Sequence, residues 1–195
     1  MTVPPATDPL ALFRDLFERA AAQEEGDPTA VALATVDASG APSVRIVLLK
    51  GVDERGFTFF TNYESRKARE LRDDPRAALC FYWPSIAVQV RAEGVAERLT
   101  AEESDAYFAT RPRESQLAAW ASRQSEPLPS RGELLERYAD ADTRLPGRVP
   151  RPPFWGGYRL LPARVEFWRG EEHRLHDRTL YVRQGVEWTV ELLYP

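Results

Sequence analysis

AVALATVDASGAPSVRIVLLKGVDERGFTFFT, residues 30–61, alternates apolar runs with turn residues. Residues 30–36 are small and β-branched, Asp37 to Gly40 supply a turn, and residues 43–50 return as a second apolar run. Residues 51–56 turn again before the aromatic run 57–61. The links are too short to hold a helix, so the runs read as antiparallel hairpins rather than βαβ units.

Working outward, Asp8 and Pro9 read as a helix cap followed by proline at the first helical position, with Phe13, Leu16, Phe17 and Ala20 at helical spacing. Beyond residue 61, residues 63–75 read as a polar helix stopped by Pro75. Strands follow over 76–83 and 86–99. Thr100 and Glu103 form a capping-box pattern, Pro112 interrupts that helix, residues 114–122 resume it, and residues 129–142 form another with a serine cap. Strands return over 158–168, 179–184 and 187–193. The reading is one domain over 1–195, mainly β with peripheral helices (α+β), forming a partly open antiparallel barrel. Residues 1–26 are an N-terminal arm and helix, 100–144 an inserted helical segment, and 145–157 a Pro/Gly-rich connection.

Composition narrows the function. At 195 residues and 43% hydrophobic, the chain can bury a substantial core. A net charge of −4 argues against a general nucleic-acid binder. No apolar run approaches the ~20 residues of a membrane span, and the first residues lack a signal-peptide pattern. The lone Cys80 permits no intramolecular disulfide and suits core packing, so a cytoplasmic setting is expected. Only two of the 26 basic residues are lysines, Lys50 and Lys67.

Both histidines fall in RGEEHRLHDRTL, residues 169–180. No metal site is expected, because His173 and His176 are three apart, no other histidine exists, and Arg174 and Arg178 flank them. Gly-x-Ser-x-Gly and phosphate-loop patterns are absent. Anion-binding residues cluster instead. Arg45 and Lys50 stand at opposite ends of one apolar run, an odd number apart, which in a regular strand sends them to opposite faces. Ser65, Arg66 and Lys67 open a helix, where free N–H groups also favour an anion. Tyr107 and Arg111 are four apart, with Ser115 just beyond, and such hydroxyls and guanidinium suit a dianion. Taken alone, Arg66 and Lys67 read more readily as a solvated helix face, Tyr107 and Arg111 also as a surface pair, and residues 174–178 also as a salt-bridge ladder with Asp177.

Together the strings DPTA, LATVD, RIVLLK, FTNYESRKARE, QVRAEG, YFATRPRESQ, QSEPLPS, WGGYR, EFW and RLHDR resemble the pyridoxamine/pyridoxine 5′-phosphate oxidase family through nearly the whole chain. The resemblance implies an FMN-binding split β-barrel of antiparallel Greek-key type, and a homodimer with FMN at the interface. It also implies oxidation of pyridoxamine or pyridoxine 5′-phosphate to pyridoxal 5′-phosphate, with dioxygen as acceptor and hydrogen peroxide released. By that resemblance FMN falls to Arg45, Ile46, Val47, Leu48, Leu49, Lys50, Phe60, Thr61, Arg66, Lys67, Gln89, Gln124, Ser125, Trp168 and Arg178. The substrate falls to Lys50, Tyr107, Arg111, Ser115, Arg174, Leu175 and His176, with Arg174 and His176 in the catalytic role. Residues 174, 176 and 178, if in one strand, share a face, and His173 is then an incidental turn residue. The chain departs from the family pattern at Phe60, usually tyrosine, at Val88 and Leu193, usually arginine, and in its short N-terminal arm; Asp27 remains as a lid-side partner. The rival readings are a phenazine-biosynthesis type of flavin oxidase, expected to lack the phosphate cradle, and a non-catalytic FMN- or pyridoxal-phosphate-binding protein, expected to lack the Arg174–His176 clamp.

Overall fold

A computed structural model describes residues 8–195; the arm before Asp8 lies outside the described residues. Helix α1 (Pro9–Gln23) is followed by strands β1 (Ala30–Val36), β2 (Pro42–Leu48), β3 (Gly51–Val52) and β4 (Phe57–Asn62). Helix α2 (Arg66–Asp73) leads into β5 (Arg76–Trp83) and β6 (Val88–Arg98). Three helices, α3 (Ala101–Thr110), α4 (Arg113–Ala121) and α5 (Arg131–Arg144), precede β7 (Trp155–Arg169), β8 (Asp177–Gln184) and β9 (Glu187–Leu192).

Every strand pair is antiparallel. The closure of the sheet depends on one crossing. β2 pairs with β1, whereas β3 pairs with β4. Between them the Leu49 N–H donates to the Thr29 carbonyl and the Lys50 N–H to that of Thr58. The segment 42–52 therefore changes partner at Leu49–Lys50. The strand order β2-β1-β5-β6-β7-β4-β3 thus begins and ends on the same stretch of chain. A sheet whose two edges are one segment is a barrel. β5 lies beside β1, which is the expected Greek-key return. β7 is long enough to serve two partners on one edge, β4 along its first half and β8 along its second. β8 and β9 extend outward from it.

Helix α1 starts where Asp8 Oδ1 accepts from the Leu10 N–H at 2.9 Å. Its apolar stripe covers the barrel, and Phe13, 0% exposed, meets Phe57, Phe81 and Trp83 at ring distances of 4.8, 4.9 and 5.6 Å. The Thr100–Glu103 capping box forms as read. A second apolar cluster of Phe108, Leu117, Ala141, Val149 and Trp155 fastens helices α3–α5 to the start of β7.

Three expectations need correction. β2 ends at Leu48, so Lys50 lies outside the strand and its parity with Arg45 does not separate them. β7 begins at Trp155, inside the stretch assigned to a connection, because Trp155, Gly156 and Gly157 pair with Asn62, Thr61 and Phe60. Arg169 pairs with Asp177, which makes residues 170–176 the reversal between β7 and β8. His173 and Arg174 there take φ values of 57° and 62°. Arg174, His176 and Arg178 therefore do not share one strand face.

Phe13→Ala is expected to lower unfolding stability by ~3–5 kcal/mol, read as a shifted denaturation midpoint with an unchanged slope.

Candidate functional site

The barrel crossing opens a cleft of about 660 Å³ between the β2–β4 side of the barrel and helices α3 and α4. Arg45, Ile46, Val47, Leu48, Lys50, Phe60, Thr61 and Lys67 line it from the barrel side. Tyr107, Arg111, Ser115, Gln124 and Trp155 line it from the other. The structure thus gathers most of the expected site around one concavity, and Arg45 and Lys50 share it.

One end is built on Lys67. Ser65 stands at the N-cap position of α2 without a side-chain cap hydrogen bond, and the buried Lys67 ammonium reaches back to Gln124 Oε1 at 2.9 Å, Thr61 Oγ1 at 3.2 Å and Ser65 Oγ at 3.3 Å. Burial, reinforced by the nearby Arg45, lowers its pKa to about 8 against the partial opposition of Glu70. A buried cation with only neutral acceptors favours an incoming anion.

Beneath it lies Glu70, 4% exposed. Its carboxylate accepts from Ser43 Oγ at 2.7 Å, Arg45 Nη2 at 3.0 Å and Arg66 Nε at 2.8 Å, and also from Thr35 Oγ1. Burial works against ionisation, yet the hydrogen bonds from Thr35, Ser43, Arg66 and Arg45 outweigh it and hold the pKa at about 2. Arg45 and Arg66 are thus both oriented by one carboxylate. Its i,i+4 spacing from Arg66 is legible in the sequence, whereas its reach to Arg45 depends on α2 packing against β1, the strand to which β2 is paired.

The other end holds Tyr107, Arg111, Ser115 and Lys50. Arg111 is the C-cap of α3 rather than a helical residue, and its N–H donates to the Phe108 carbonyl. Its Nη1 is buried and has no hydrogen-bond partner among the described residues. Burial lowers its pKa, partly countered by Tyr107. Phe60 stacks on Tyr107 at 3.9 Å and on Trp155 at 5.4 Å. Gly157 leaves room for that stack, since a Cβ there would lie 2.4 Å from Leu99 and 2.9 Å from Phe60; at the neighbouring Gly156 a Cβ would lie 2.2 Å from the Tyr63 hydroxyl.

The remaining expected residues do not line this cleft. Leu49 is buried in the core, and the exposed Ser125, at φ 75°, stands one residue past Gln124. Gln89 pairs with Trp168, and Trp168 with Arg178, at the far end of β7. Gly157 and Trp168 are separated by roughly 35 Å of strand contour at ~3.3 Å per residue. There Arg178 Nε donates to Glu166 at 2.8 Å, and its Nη1 donates to the Tyr194 carbonyl at 2.9 Å. Arg91 also pairs with Glu166. His176 lies 4.6 Å from Trp168, and its Nδ1 accepts from the Glu171 N–H at 3.1 Å. A neutral ring so held carries its proton on Nε2. Arg174 and Leu175 are exposed on the reversal. Val88, where a charge is missing, is a 2%-exposed core residue.

Residues 17–141 match the family model for pyridoxamine 5′-phosphate oxidase, and residues 155–195 match that for the pyridoxine 5′-phosphate oxidase C-terminal dimerisation region. The chain is 58% identical to a pyridoxine/pyridoxamine 5′-phosphate oxidase of Anaeromyxobacter dehalogenans, covering 100% of both. It is 51% identical to one of Coxiella burnetii, covering 97% of this chain and 96% of the other. PhzG from Burkholderia lata, solved with tetrahydrophenazine-1-carboxylic acid, superposes with a TM-score of 0.93 at 33% identity, over 100% of this chain and 98% of that one. A pyridoxamine 5′-phosphate oxidase-related FMN-binding protein from Nostoc punctiforme shares the fold, with a TM-score of 0.77 at 21% identity over the whole of both chains.

Glu70 is charged in both folded and unfolded chains above its ordinary pKa of 4.5, and only the folded chain holds it charged down to about 2. Its contribution to stability is therefore complete above pH 4.5 and lost as pH falls towards 2. Glu70→Gln is expected to flatten the fall of stability across that window, measured by denaturant unfolding at a series of pH values.

Proposed function

The chain belongs to the pyridoxamine 5′-phosphate oxidase family, and on that premise we propose that it oxidises C4′ of pyridoxamine or pyridoxine 5′-phosphate to the aldehyde of pyridoxal 5′-phosphate. The observation that carries the reading is the buried, unpartnered Nη1 of Arg111 in a cleft that Lys50, Tyr107 and Ser115 also line. Two cations and two hydroxyls around one concavity suit a phosphate ester.

The same cleft fits FMN. Its volume of about 660 Å³ lies within the ~300–1,000 Å³ typical of small-molecule sites, and the buried Lys67 ammonium presents its charge to neutral oxygens alone. Arg45, Arg66 and Lys67 would hold the cofactor phosphate, with Thr61 and Gln124 fixing Lys67 and Ile46, Val47, Leu48, Lys50 and Phe60 lying along the flavin. FMN, when bound, supplies the hydride acceptor and passes the electrons to dioxygen. The sum is then balanced: the amine, dioxygen and water give aldehyde, ammonia and hydrogen peroxide, while the alcohol and dioxygen give aldehyde and hydrogen peroxide.

The protein's share is placement and electrostatics. Lys50, Tyr107, Arg111 and Ser115 anchor the substrate phosphate. Arg174 sets its charge against the pyridine ring, and His176, protonated at Nε2, donates a hydrogen bond to the substrate. These two reach the cleft from a second copy of the chain. Residues 155–195 match a dimerisation region and carry Trp168, Arg174, His176 and Arg178. Val44, Ile46 and Leu48 beside the cleft are 69%, 64% and 40% exposed, an apolar row that a second copy would cover. In such a homodimer each cleft takes Gln89, Trp168, Arg178 and the 170–176 reversal from the other copy, completing two equivalent sites.

A second reading, oxidation of a phosphate-free tricyclic substrate, draws on the likeness to PhzG. It leaves the Arg111 cradle without a role, and the oxidase names of the relatives at 51–58% identity favour the phosphate ester.

The purified protein is expected to be yellow and dimeric, to lose its flavin absorbance on anaerobic addition of pyridoxine 5′-phosphate, and to consume oxygen with pyridoxamine 5′-phosphate. A colourless protein with no oxygen uptake would overturn the oxidase reading, and turnover of a tricyclic acid alone would favour the second. Arg111→Ala is expected to raise KM for the phosphate substrate roughly 10- to 100-fold, the loss of one charged hydrogen-bonding group, with FMN still bound. Equal loss of flavin would show the two phosphate sites to be wrongly divided.

A further inference from the structure

Most arginines around the cleft and barrel are held by carboxylates. Arg45 and Arg66 are bound to Glu70, Arg113 to Asp142, and Arg91 and Arg178 to Glu166. Arg111 is held differently. Its guanidinium lies 4.6 Å from the Trp155 ring centroid and 5.6 Å from that of Phe108. A carboxylate would spend N–H donors and cancel charge, whereas an aromatic face attracts the cation and leaves its in-plane donors free.

Trp155 is itself firmly placed. It is 7% exposed, pairs with Asn62 as the first residue of β7, and its carbonyl accepts from Arg151 Nη1 at 2.6 Å. Its ring lies within 11° of parallel to Phe60 and within 6° of parallel to Tyr107. We infer that Trp155 is a positioning residue for Arg111: its indole face fixes the guanidinium at the cleft wall with its donors and charge unspent, and so sets the affinity for the phosphate ester. The inference rests on the oxidase reading above.

The test compares wild type with Trp155→Leu and Trp155→Phe as flavin-loaded full-length proteins. KM and kcat for pyridoxamine 5′-phosphate are read by oxygen uptake, alongside the dissociation constant of inorganic phosphate and flavin retention. Loss of the aromatic face is expected to weaken both KM and phosphate binding about tenfold in the leucine variant, with kcat within about threefold of wild type and flavin retained. The phenylalanine variant keeps a smaller face and should recover most of the loss. Unchanged KM and phosphate binding in Trp155→Leu would overturn the inference. So would a fall in kcat and flavin retention without a rise in KM, or a phenylalanine variant no better than leucine, since either assigns Trp155 a packing role alone. If the leucine variant does not fold, Trp155→Met keeps bulk without an aromatic face and is read in the same way. Wild type that binds inorganic phosphate without turnover sinks the oxidase reading, and the phosphate constants of the variants then decide the inference. Wild type that does neither overturns both.

Discussion

The change of partner at Leu49–Lys50 is the constraint on which the rest of the molecule depends. By pairing with β1 before that point and β4 after it, one segment closes the barrel. The same crossing turns Arg45 inward to Glu70 and leaves Lys50 outside the strand at the cleft. Closure and site formation are therefore one event. A slip of one residue in β2 would expose Val47 and bury its alternating neighbours, moving Arg45 away from Glu70.

The two ends of the cleft treat positive charge in opposite ways. At the α2 end a buried carboxylate gathers two arginines, with Lys67 left among neutral oxygens. At the α3–α4 end an arginine lies on aromatic rings with a buried N–H unpartnered. The first sets three cations against one carboxylate; the second holds its arginine with no carboxylate partner among the described residues. The two ends of one cleft therefore hold their arginines by different means, a carboxylate at one and aromatic faces at the other.

Much of the fold was legible from local signals. Residues 30–36 and 76–83 form strands with the limits read from the sequence, and the Asp8, Thr100 and Ser130 caps all form. Those features are set by alternation, turn residues and side-chain oxygens within three residues of their partners. The strand limits 158–168 and 179–184 left room for a link, but the alternate run Arg174, His176 and Arg178 hid that the first two lie in the reversal and only the third in β8. The start of β7 was hidden among prolines and glycines for a related reason. Gly156 and Gly157 are there for close approach of Tyr63, Leu99 and Phe60, not for a loop.

The sequence by itself determined the antiparallel barrel with added helices and, through the resemblance of its motifs, the family, and it named candidate residues for a site. Tertiary structure alone decided which of those residues meet. Glu70 reaches Arg45 across the gap between helix and strand, and Trp155 reaches Arg111 across the gap between strand and helix cap. Gln89, Trp168 and Arg178 are kept away from the cleft by the length of β7. The physical reason is range: caps and turns are settled within a few residues, whereas a cleft is assembled by strand register and packing between segments far apart in the chain.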